Sequence, residues 1–196
     1  MNTFEKGDDF EETVFDNFKR ELQEDHLFVS GKTAKIFRKK GYFSKHRKSN
    51  IITDISIESY LPGRKRYSLL IVIECKHYSK PIPVNELEEF YSKVQQIAGV
   101  NVKAIFATNA ALQKGTFEFA KSTNIGIIRY LPFSKVEWLA YLTNSATQAE
   151  QQVVYESEYN VAFLEHEHTG NPEGFCACDE NFYYGSMAAM LKNILK

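Results

Sequence analysis

Apolar residues recur at three- and four-residue intervals near the start of the chain, as Phe10, Val14 and Phe18 illustrate. This spacing puts the apolar side chains on one face of a helix and leaves the other face polar. The pattern predicts an amphipathic helix from about Asp8 to Glu24, with Asp8 near its positively polarised first turn. The first element of the fold is therefore expected to be a helix that packs on an apolar surface.

The next segment combines a strand-like pattern with a polar one. Residues from about Leu27 to Phe37 predict a strand. The following residues, from Arg38 to Asn50, are polar, basic and interrupted by Gly41, which predicts a loop. On this interpretation a cluster of basic side chains lies largely on a loop.

Two apolar-rich runs then flank a turn. They extend from Ile51 to Tyr60 and from Tyr67 to Lys76, and the Pro62-Gly63 pair between them predicts a β-hairpin. The second run is apolar at every position from Leu69 to Ile73, as expected of a strand that is buried on both faces. This strand is expected to lie in the middle of the sheet.

Helices and strands alternate after the hairpin. The pattern predicts a helix from about Asn85, a strand from Val102 to Thr108, a helix from about Thr116 to Ser122 and a strand from Ile125 to Tyr130. Strand–helix–strand order is typical of parallel strand pairs whose helices cover the sheet. The chain is therefore predicted to be an α/β protein with a mixed sheet flanked by helices.

The last quarter of the chain has a different pattern. The polar stretch from Ser145 to Gln152 is the best boundary between a core domain, 1–144, and a small C-terminal α+β appendage, 145–196. Within the appendage, Val153 to His166 alternates like a strand, and Met187 to Leu195 predicts a short helix. We expect a β-hairpin plus helix there.

Composition narrows the class of protein. Apolar residues make up 43% and charged residues 25% of the chain, which is typical of a globular protein rather than a fibrous or disordered one. No uncharged apolar run approaches the ~20 residues of a membrane span, and the first residues do not resemble a secretory signal. Three cysteines, Cys75, Cys176 and Cys178, are too few for a disulfide framework. We therefore expect a soluble cytoplasmic protein with no membrane partner.

The formal net charge of -1 hides a strong asymmetry. The segment from His26 to Thr53 contains eight Lys or Arg and no acid, whereas Ser145 to Lys196 contains eight acids and two lysines. A basic segment with interleaved aromatic residues favours contact with a nucleic-acid backbone, although a solubilising surface is the alternative. The candidate nucleic-acid-binding residues are Lys39, Lys40, Lys45, Arg47, Lys48, Arg64, Lys65 and Arg66.

Three charged residues gather on the predicted hairpin. A turn centred near Gly63 puts Asp54 opposite Glu74 or within one residue of it, and the two-residue period of a strand puts Lys76 on the face of Glu74. Charges at the end of a buried strand are costly unless they are paired or used, so a structural ion pair is the alternative. Two carboxylates with a backbone carbonyl, such as that of Cys75, suit Mg²⁺, and Lys76 would orient or activate an attacking water.

Asp54, followed after nineteen residues by Glu74-Cys75-Lys76, resembles the PD-(D/E)xK nuclease superfamily and, within it, the Mrr-like restriction endonuclease branch. The likeness runs from about Gly7 to Tyr130. It includes the opening GDDFE, the ECKHY at the end of the central strand, the strand AIFATN and the late strand IGIIRY. The residue before Asp54 is Thr53 rather than the proline of the superfamily motif.

The resemblance implies a restriction-endonuclease-like core of order α-β-β-β-α-β and Mg²⁺-dependent hydrolysis of DNA. It implies that Asp54 and Glu74 bind the metal and that Lys76 is catalytic. Glu11 matches the first-helix acid that supports such sites, although a solvated helix face would also explain an acid there. Gln95, on the helix after the motif, would either support the site or simply lie on the helix surface.

A second group of potential ligands lies in the appendage. His166 and His168 form an HxH, and Cys176 and Cys178 form a CxC, on either side of a predicted turn. Two imidazoles and two thiolates could hold a tetrahedral Zn²⁺, but the usual CxxC spacing is absent. The alternative is an acidic β-hairpin that packs on the core or mediates assembly.

The sequence thus predicts a Mg²⁺-dependent endonuclease, with Mn²⁺ able to substitute, that hydrolyses DNA phosphodiester bonds in restriction or phage defence. One alternative is a catalytically idle nucleic-acid-binding module with the same fold, and another is a nuclease that acts on junctions or RNA. DNA is the expected partner. A homodimer is common among enzymes that cut both strands. Because we recognise no separate reader domain, either specificity is low or a partner protein supplies the targeting.

Overall fold

The computed structural model describes residues 3–24, 29–97, 101–130, 163–164, 175–178 and 183–184. Within these ranges the helices are α1 (Thr3–Gln23), α2 (Val84–Ile97) and α3 (Lys114–Ser122). The strands are β1 (Ala34–Ser44), β2 (Ser49–Ser59), β3 (Leu69–Lys76), β4 (Val102–Thr108), β5 (Gly126–Tyr130), β6 (Phe175–Cys178) and β7 (Tyr183–Tyr184). No helix in the described part of the chain is long and apolar enough to cross a membrane.

One mixed sheet organises the fold, with its strands in the order β1 to β7. β1, β2 and β3 pair antiparallel, β3, β4 and β5 pair parallel, and β6 and β7 continue antiparallel. The parallel pairs are connected by α2 and α3, because a parallel connection must cross from one end of the sheet to the other. The observed order of elements and the helices flanking a mixed sheet confirm the predicted restriction-endonuclease-like fold.

Two apolar cores lie on opposite faces of the sheet. On one face α1 packs against alternate residues of β3, including Ile71 and Ile73, and we call this the α1-side core. On the other face α2 and α3 pack against Leu70 and Val72, and we call this the α2-side core. β3 is therefore buried on both faces, as its continuous apolar run predicts.

The predicted hairpin between β2 and β3 is confirmed. Their register pairs Ile55 with Ile73. The connection turns at Gly63, which has a φ of 73°, a backbone conformation that residues with a side chain rarely adopt. The Arg64 N–H donates to the Leu61 carbonyl at 3.0 Å and closes the turn. A glycine in a left-handed conformation is what the Pro-Gly signal requires.

The predicted loop from Arg38 to Asn50 is wrong. β1 begins later than predicted, at Ala34, and continues to Ser44, and a short turn, 45–48, leads directly into β2. β1 lies at the edge of the described sheet, where lysine and arginine side chains reach solvent while the backbone still pairs with β2. Charge therefore did not exclude a strand here, and the basic residues lie mainly on β1 and its turn.

The described part of the C-terminal appendage joins the core. β6 pairs with β5, so the β6–β7 hairpin extends the same sheet. Phe163 and Leu164 are helical, which contradicts the predicted strand at these positions, and their two adjacent apolar side chains do not fit strict alternation. The rest of that predicted strand, the boundary at 145–152 and the predicted helix from Met187 to Leu195 lie outside the described residues.

Candidate active site

The candidate site begins where β2 and β3 stop pairing. The last pair is Ile55 with Ile73, and the same register puts Asp54 opposite Glu74, in agreement with the hairpin prediction. Beyond that pair, the Cys75 N–H donates to Asp54 Oδ2 at 2.9 Å instead of to a strand carbonyl. We call this opening the strand gap, and a carboxylate satisfies the backbone donor within it.

Glu74 lies on the α2 side of the strand gap and is only 5% exposed. Its Oε1 accepts a hydrogen bond from Lys93 Nζ at 2.9 Å and lies 3.5 Å from Lys76 Nζ. Burial raises the pKa of Glu74, and the charge of Asp54 raises it further against the opposing effect of the two lysines. A buried carboxylate in this condition is typical of a functional site.

Lys76 is anchored by a second acid. Its Nζ lies 2.9 Å from Glu86 Oε2, and Glu86 Oε1 accepts a hydrogen bond from the Tyr78 hydroxyl at 2.8 Å. Burial acts to lower the pKa of Lys76, but the hydrogen bond to Glu86 and the charge of Glu74 outweigh burial and raise it. Lys76 is therefore an ammonium at neutral pH, which can orient a water or stabilise an anion but cannot accept a proton.

The α1 side of the strand gap contributes Glu11, which is 4% exposed. Its Oε1 accepts a hydrogen bond from Arg38 Nε at 3.3 Å, and its Oε2 contacts Lys39 Nζ. The same Lys39 ammonium lies 2.7 Å from Asp54 Oδ1. Glu11 is therefore joined to Asp54 through a lysine, and the strand gap collects side chains from both faces of the sheet.

The ligand atoms at the strand gap are of the type that a hard divalent cation prefers. The carboxylates of Asp54 and Glu74, with the backbone carbonyl of Cys75, offer the oxygen ligands that Mg²⁺ and Mn²⁺ prefer. As they stand, no three His, Cys, Asp or Glu side chains of the described residues converge closely enough to hold a metal. Instead, Lys39 bonds to Asp54 and Lys93 bonds to Glu74. Two ammonium groups thus hold carboxylate oxygens that a metal would use.

Two of the predicted nucleic-acid-binding lysines are engaged inside the molecule. Lys39 bridges Glu11 and Asp54, as described above. Lys40 Nζ lies 2.7 Å from Glu58 Oε1. These two contacts indicate roles within the fold that a simple count of basic residues does not show.

The other predicted basic residues fall on two exposed turns. Residues 45–48 form the turn between β1 and β2, and residues 64–66 belong to the connection between β2 and β3. The two turns lie at opposite ends of β2, roughly 35 Å apart for a strand of this length. The structure therefore does not bring the two basic clusters together.

Gln95 and the predicted zinc ligands are not assembled around the strand gap. Gln95 is exposed on α2, and Lys93 of the same helix makes the contact with Glu74 instead. His166 and His168 lie outside the described residues. So do the side chains of the two β6 cysteines, Cys176 and Cys178, and the zinc site stays a prediction.

Glu86 and Lys93 of α2 were not among the predicted site residues, and Lys39 was predicted only as a nucleic-acid contact. Glu86 and Lys93 are seven positions apart, and both border the buried helix face that includes Phe90. Residues at this spacing lie on the same side of a helix. An acid and a base beside the apolar face of the helix that follows the motif were the available signal.

Comparison with known proteins gives one informative match. The family model for restriction endonucleases of the Mrr catalytic type matches residues 6–131. Among curated proteins, none is significantly similar. A solved structure described as "Crystal Structure of Protein of Unknown Function AF1548" shares 16% identity and a TM-score of 0.41, with 78% of this chain and 70% of that chain covered. The latter likeness carries no argument about function.

Fold and family agree on a restriction-endonuclease-like nuclease domain. Because the family match spans more than half of the chain, the protein belongs to the restriction endonuclease family of the Mrr catalytic type. Membership implies, in general terms, a DNA substrate and catalysis that depends on a divalent metal.

Proposed function

We propose that this chain is a Mg²⁺-dependent endonuclease that hydrolyses DNA phosphodiester bonds in restriction or phage defence. The strand gap supports this most directly, because Asp54 lies opposite Glu74 and Lys76 Nζ lies 3.5 Å from Glu74 Oε1. Two carboxylates and an ammonium are suited to metal-assisted hydrolysis of a phosphate ester. The role in defence rests on the family alone.

Asp54, Glu74 and the carbonyl of Cys75 would hold the metal. A bound divalent cation supplies Lewis-acid stabilisation of the scissile phosphate and lowers the pKa of a bound water. The Cys75 N–H fixes one oxygen of Asp54, Oδ2, so Oδ1 is the oxygen that remains for a cation. The protein thus orients its aspartate before any ligand enters.

Lys76 acts as a charged donor in this proposal. Its bond to Glu86 holds the ammonium beside Glu74. From there it would contact an attacking water or a phosphate oxygen. Because its pKa is raised, Lys76 would orient the water and stabilise negative charge rather than remove a proton. Activity is therefore expected to require the positive charge of Lys76.

A two-stranded arm, residues 40–53, extends from the strand gap and offers a surface for DNA. One face of the arm packs into the α2-side core through Tyr42 and Ile51. The other face exposes Phe43 and Ile52, at 60% and 53% of their surfaces. This free face would contact sugars and bases of a strand whose phosphate lies at the strand gap.

The tip of the arm would contact the DNA backbone. Residues 45–48 are Lys-His-Arg-Lys, and all four are exposed. Phosphate contacts by such residues position a nucleic acid without reading its sequence. Residues 64–66, at the far end of β2, would contribute less to a duplex held at the strand gap.

The first test is cleavage of supercoiled plasmid by the purified protein with Mg²⁺, with EDTA, and with the Lys76→Ala variant. Nicked or linear products that require both Mg²⁺ and Lys76 are the expected result. Lys114→Ala, which removes an exposed lysine of α3, is the matched control and should cleave like the unchanged protein. Parallel reactions on RNA and on branched DNA distinguish a different substrate.

The proposal fails if plasmid binds but is never broken under any metal condition. That outcome would favour a catalytically idle nucleic-acid-binding module. Cleavage of RNA or junctions without cleavage of duplex DNA would keep the chemistry and replace the substrate.

The arm is tested by the salt dependence of DNA binding. Replacing Lys45, Arg47 and Lys48 together by Ala should flatten the slope of log affinity against log salt by about 0.9 for each lost phosphate contact. Replacing residues 64–66 together by Ala is the matched control, with the same number of charges removed. An equal effect of the two triple variants would contradict a specific role for the arm.

A further inference from the structure

The ammonium of Lys39 lies between two carboxylates at the strand gap. Its Nζ lies 2.7 Å from Asp54 Oδ1 and also contacts Glu11 Oε2. Asp54 Oδ2 is already bonded to the Cys75 N–H, so Lys39 takes the remaining oxygen of the aspartate. The side chain of Lys39 is 52% exposed, whereas Glu11 is buried and depends on its partners for charge compensation.

The backbone of β1 is distorted where it delivers this ammonium. Lys39 has a φ of 47°, a left-handed conformation that is unfavourable for a residue other than glycine. Pairing of β1 with β2 is interrupted there, between Arg38↔Ile55 and Lys40↔Thr53. Such a local distortion redirects a side chain, as bulges do beside active sites.

Both strands also exchange faces near this position, since Ile55 of β2 lies in the α1-side core and Ile51 in the α2-side core. Before Lys39, Ile36 packs on the α1-side core, whereas Tyr42, which strict alternation would put on the same face, lies in the α2-side core. The exchange falls at the position where Lys39 meets Asp54. The contact is therefore part of the course of the strand and not a chance meeting of two surface charges.

We propose that Lys39 is an internal counter-cation that holds Asp54 and Glu11 in the metal-free protein and competes with the divalent metal for Asp54 Oδ1. This inference rests on the proposed metal-dependent nuclease function. Metal binding at Asp54 displaces the Lys39 ammonium from that oxygen. The competition weakens metal affinity and keeps the carboxylates compensated when no metal is bound.

A purely structural ion pair makes a different prediction. If Lys39 only stabilises the fold, its removal lowers stability and leaves metal affinity unchanged or lower. If Lys39 competes with the metal, its removal raises metal affinity even though the metal-free protein is less stable. The two effects have opposite signs, so metal binding separates the two roles.

The test is Mn²⁺ binding, counted by electron paramagnetic resonance of the free ion, to the unchanged protein and to Lys39→Met. We expect about tenfold tighter binding in the variant, which corresponds to about 1.4 kcal/mol. Lys35→Met removes another exposed lysine of β1 and should leave Mn²⁺ binding unchanged. Equal or weaker binding by folded Lys39→Met, or the absence of Mn²⁺ binding in both proteins, would overturn the inference.

A measurement on the unchanged protein covers the case in which Lys39→Met does not fold. The ammonium resonance of a hydrogen-bonded lysine is observable by ¹⁵N NMR, and diamagnetic Mg²⁺ should shift or abolish the Lys39 signal. A Lys39 signal that persists unchanged at saturating Mg²⁺ would refute the competition.

Plasmid cleavage is scored separately, so the two proposals can fail independently. Metal-dependent cleavage together with unchanged Mn²⁺ affinity in Lys39→Met overturns only the counter-cation. Tighter Mn²⁺ binding in Lys39→Met without any cleavage by the unchanged protein overturns only the proposed nuclease function.

Discussion

Two buried glutamates on neighbouring strands, Glu58 of β2 and Glu74 of β3, differ in how their charges are satisfied. Glu58 is 2% exposed and accepts hydrogen bonds from the hydroxyls of Tyr42, at 2.9 Å, and Tyr60. Lys40 Nζ lies 2.7 Å from it. Burial alone would raise the pKa of Glu58, but Lys40 and the two tyrosines outweigh burial and lower it.

Glu74 has nearly the same exposed fraction as Glu58, but its pKa shifts in the opposite direction. Its pKa is raised by burial and then by the charge of Asp54, and Lys93 and Lys76 offset only part of this. One of those lysines, Lys76, is also shared with Glu86. Glu74 therefore has fewer donors of its own than Glu58 and a like charge nearby.

The difference separates a structural carboxylate from a functional one. Tyrosine hydroxyls and a lysine enclose Glu58 and leave little reason for a ligand to enter. At Glu74 the second carboxylate makes the ionised pair unfavourable until a strong cation arrives. Functional sites commonly contain charged groups whose ionised form is unfavourable and is not fully compensated by the surrounding residues.

The largest effect is expected from Glu74→Gln. This change keeps the shape of the side chain but removes a proposed metal ligand, so plasmid cleavage should fall by at least about 100-fold. The thermal stability of the metal-free variant should stay the same or increase, because a buried carboxylate is lost whose charge Lys93 and Lys76 compensate only in part.

Glu58→Gln is the matched control for Glu74→Gln. Activity per folded molecule should change less than about threefold, since Glu58 is not part of the strand gap. Loss of cleavage in Glu58→Gln, with the fold intact, would mean that Glu58 also has a functional role and does not differ from Glu74 in this respect.

A smaller effect is expected on stability. Glu58→Gln should destabilise the fold by about 2 kcal/mol, because Lys40 loses its anion and at least one tyrosine hydroxyl loses a strong acceptor. Tyr60→Phe removes a single hydrogen bond and should cost about 1 kcal/mol. Urea unfolding followed by circular dichroism measures both, and an unfolding free energy unchanged in Glu58→Gln would be incompatible with a structural role.

The smallest expected effect is on the pH dependence of folding stability, and it has opposite signs at the two glutamates. The pKa of Glu58 is lower in the folded state than its ordinary value of 4.5, so its stabilisation is complete above pH 4.5 and is lost as the pH falls through the folded pKa. The pKa of Glu74 is raised, so without metal its ionisation destabilises the fold as the pH rises above 4.5.

Unfolding free energies in EDTA across acid to neutral pH test these signs. The loss of unfolding free energy in Glu58→Gln, relative to the unchanged protein, should shrink toward acid pH. Any gain of unfolding free energy in Glu74→Gln should grow toward neutral pH. Parallel curves for the two variants would refute the opposite shifts.

Much of the fold could be predicted because its strongest signals are local. The Pro62-Gly63 turn set the register of β2 and β3, and the continuous apolar run of β3 showed its central place. That turn was enough to put Asp54 opposite Glu74 or within one residue of it, and the observed register puts them directly opposite. Periodicity likewise located the three helices, although α1 begins at Thr3, five residues before its predicted start.

The sequence could not show what depends on the distorted course of β1. Its lysines have low strand propensity, and the edge position lets their charged side chains reach solvent while the backbone pairs with β2. The exchange of faces near Lys39 involves both β1 and β2, and no residue pattern in the sequence indicates it. Lys39 was therefore counted as a DNA contact, although its ammonium reaches Asp54 and Glu11. Contacts made by α2, such as Lys93 with Glu74, depend on how the helix packs.

The pairing of β6 with β5 has a consequence for the making of the protein. Without β6, the N–H and C=O groups along one side of β5 would form an open edge, a template for strands of other molecules. Phe163, whose carbonyl accepts a hydrogen bond from the Leu112 N–H and whose ring stacks on Phe117, covers another part of the core from the same late region of the chain. During synthesis the sheet therefore has an unprotected edge from the time β5 emerges until β6 follows, and self-association in that interval competes with folding.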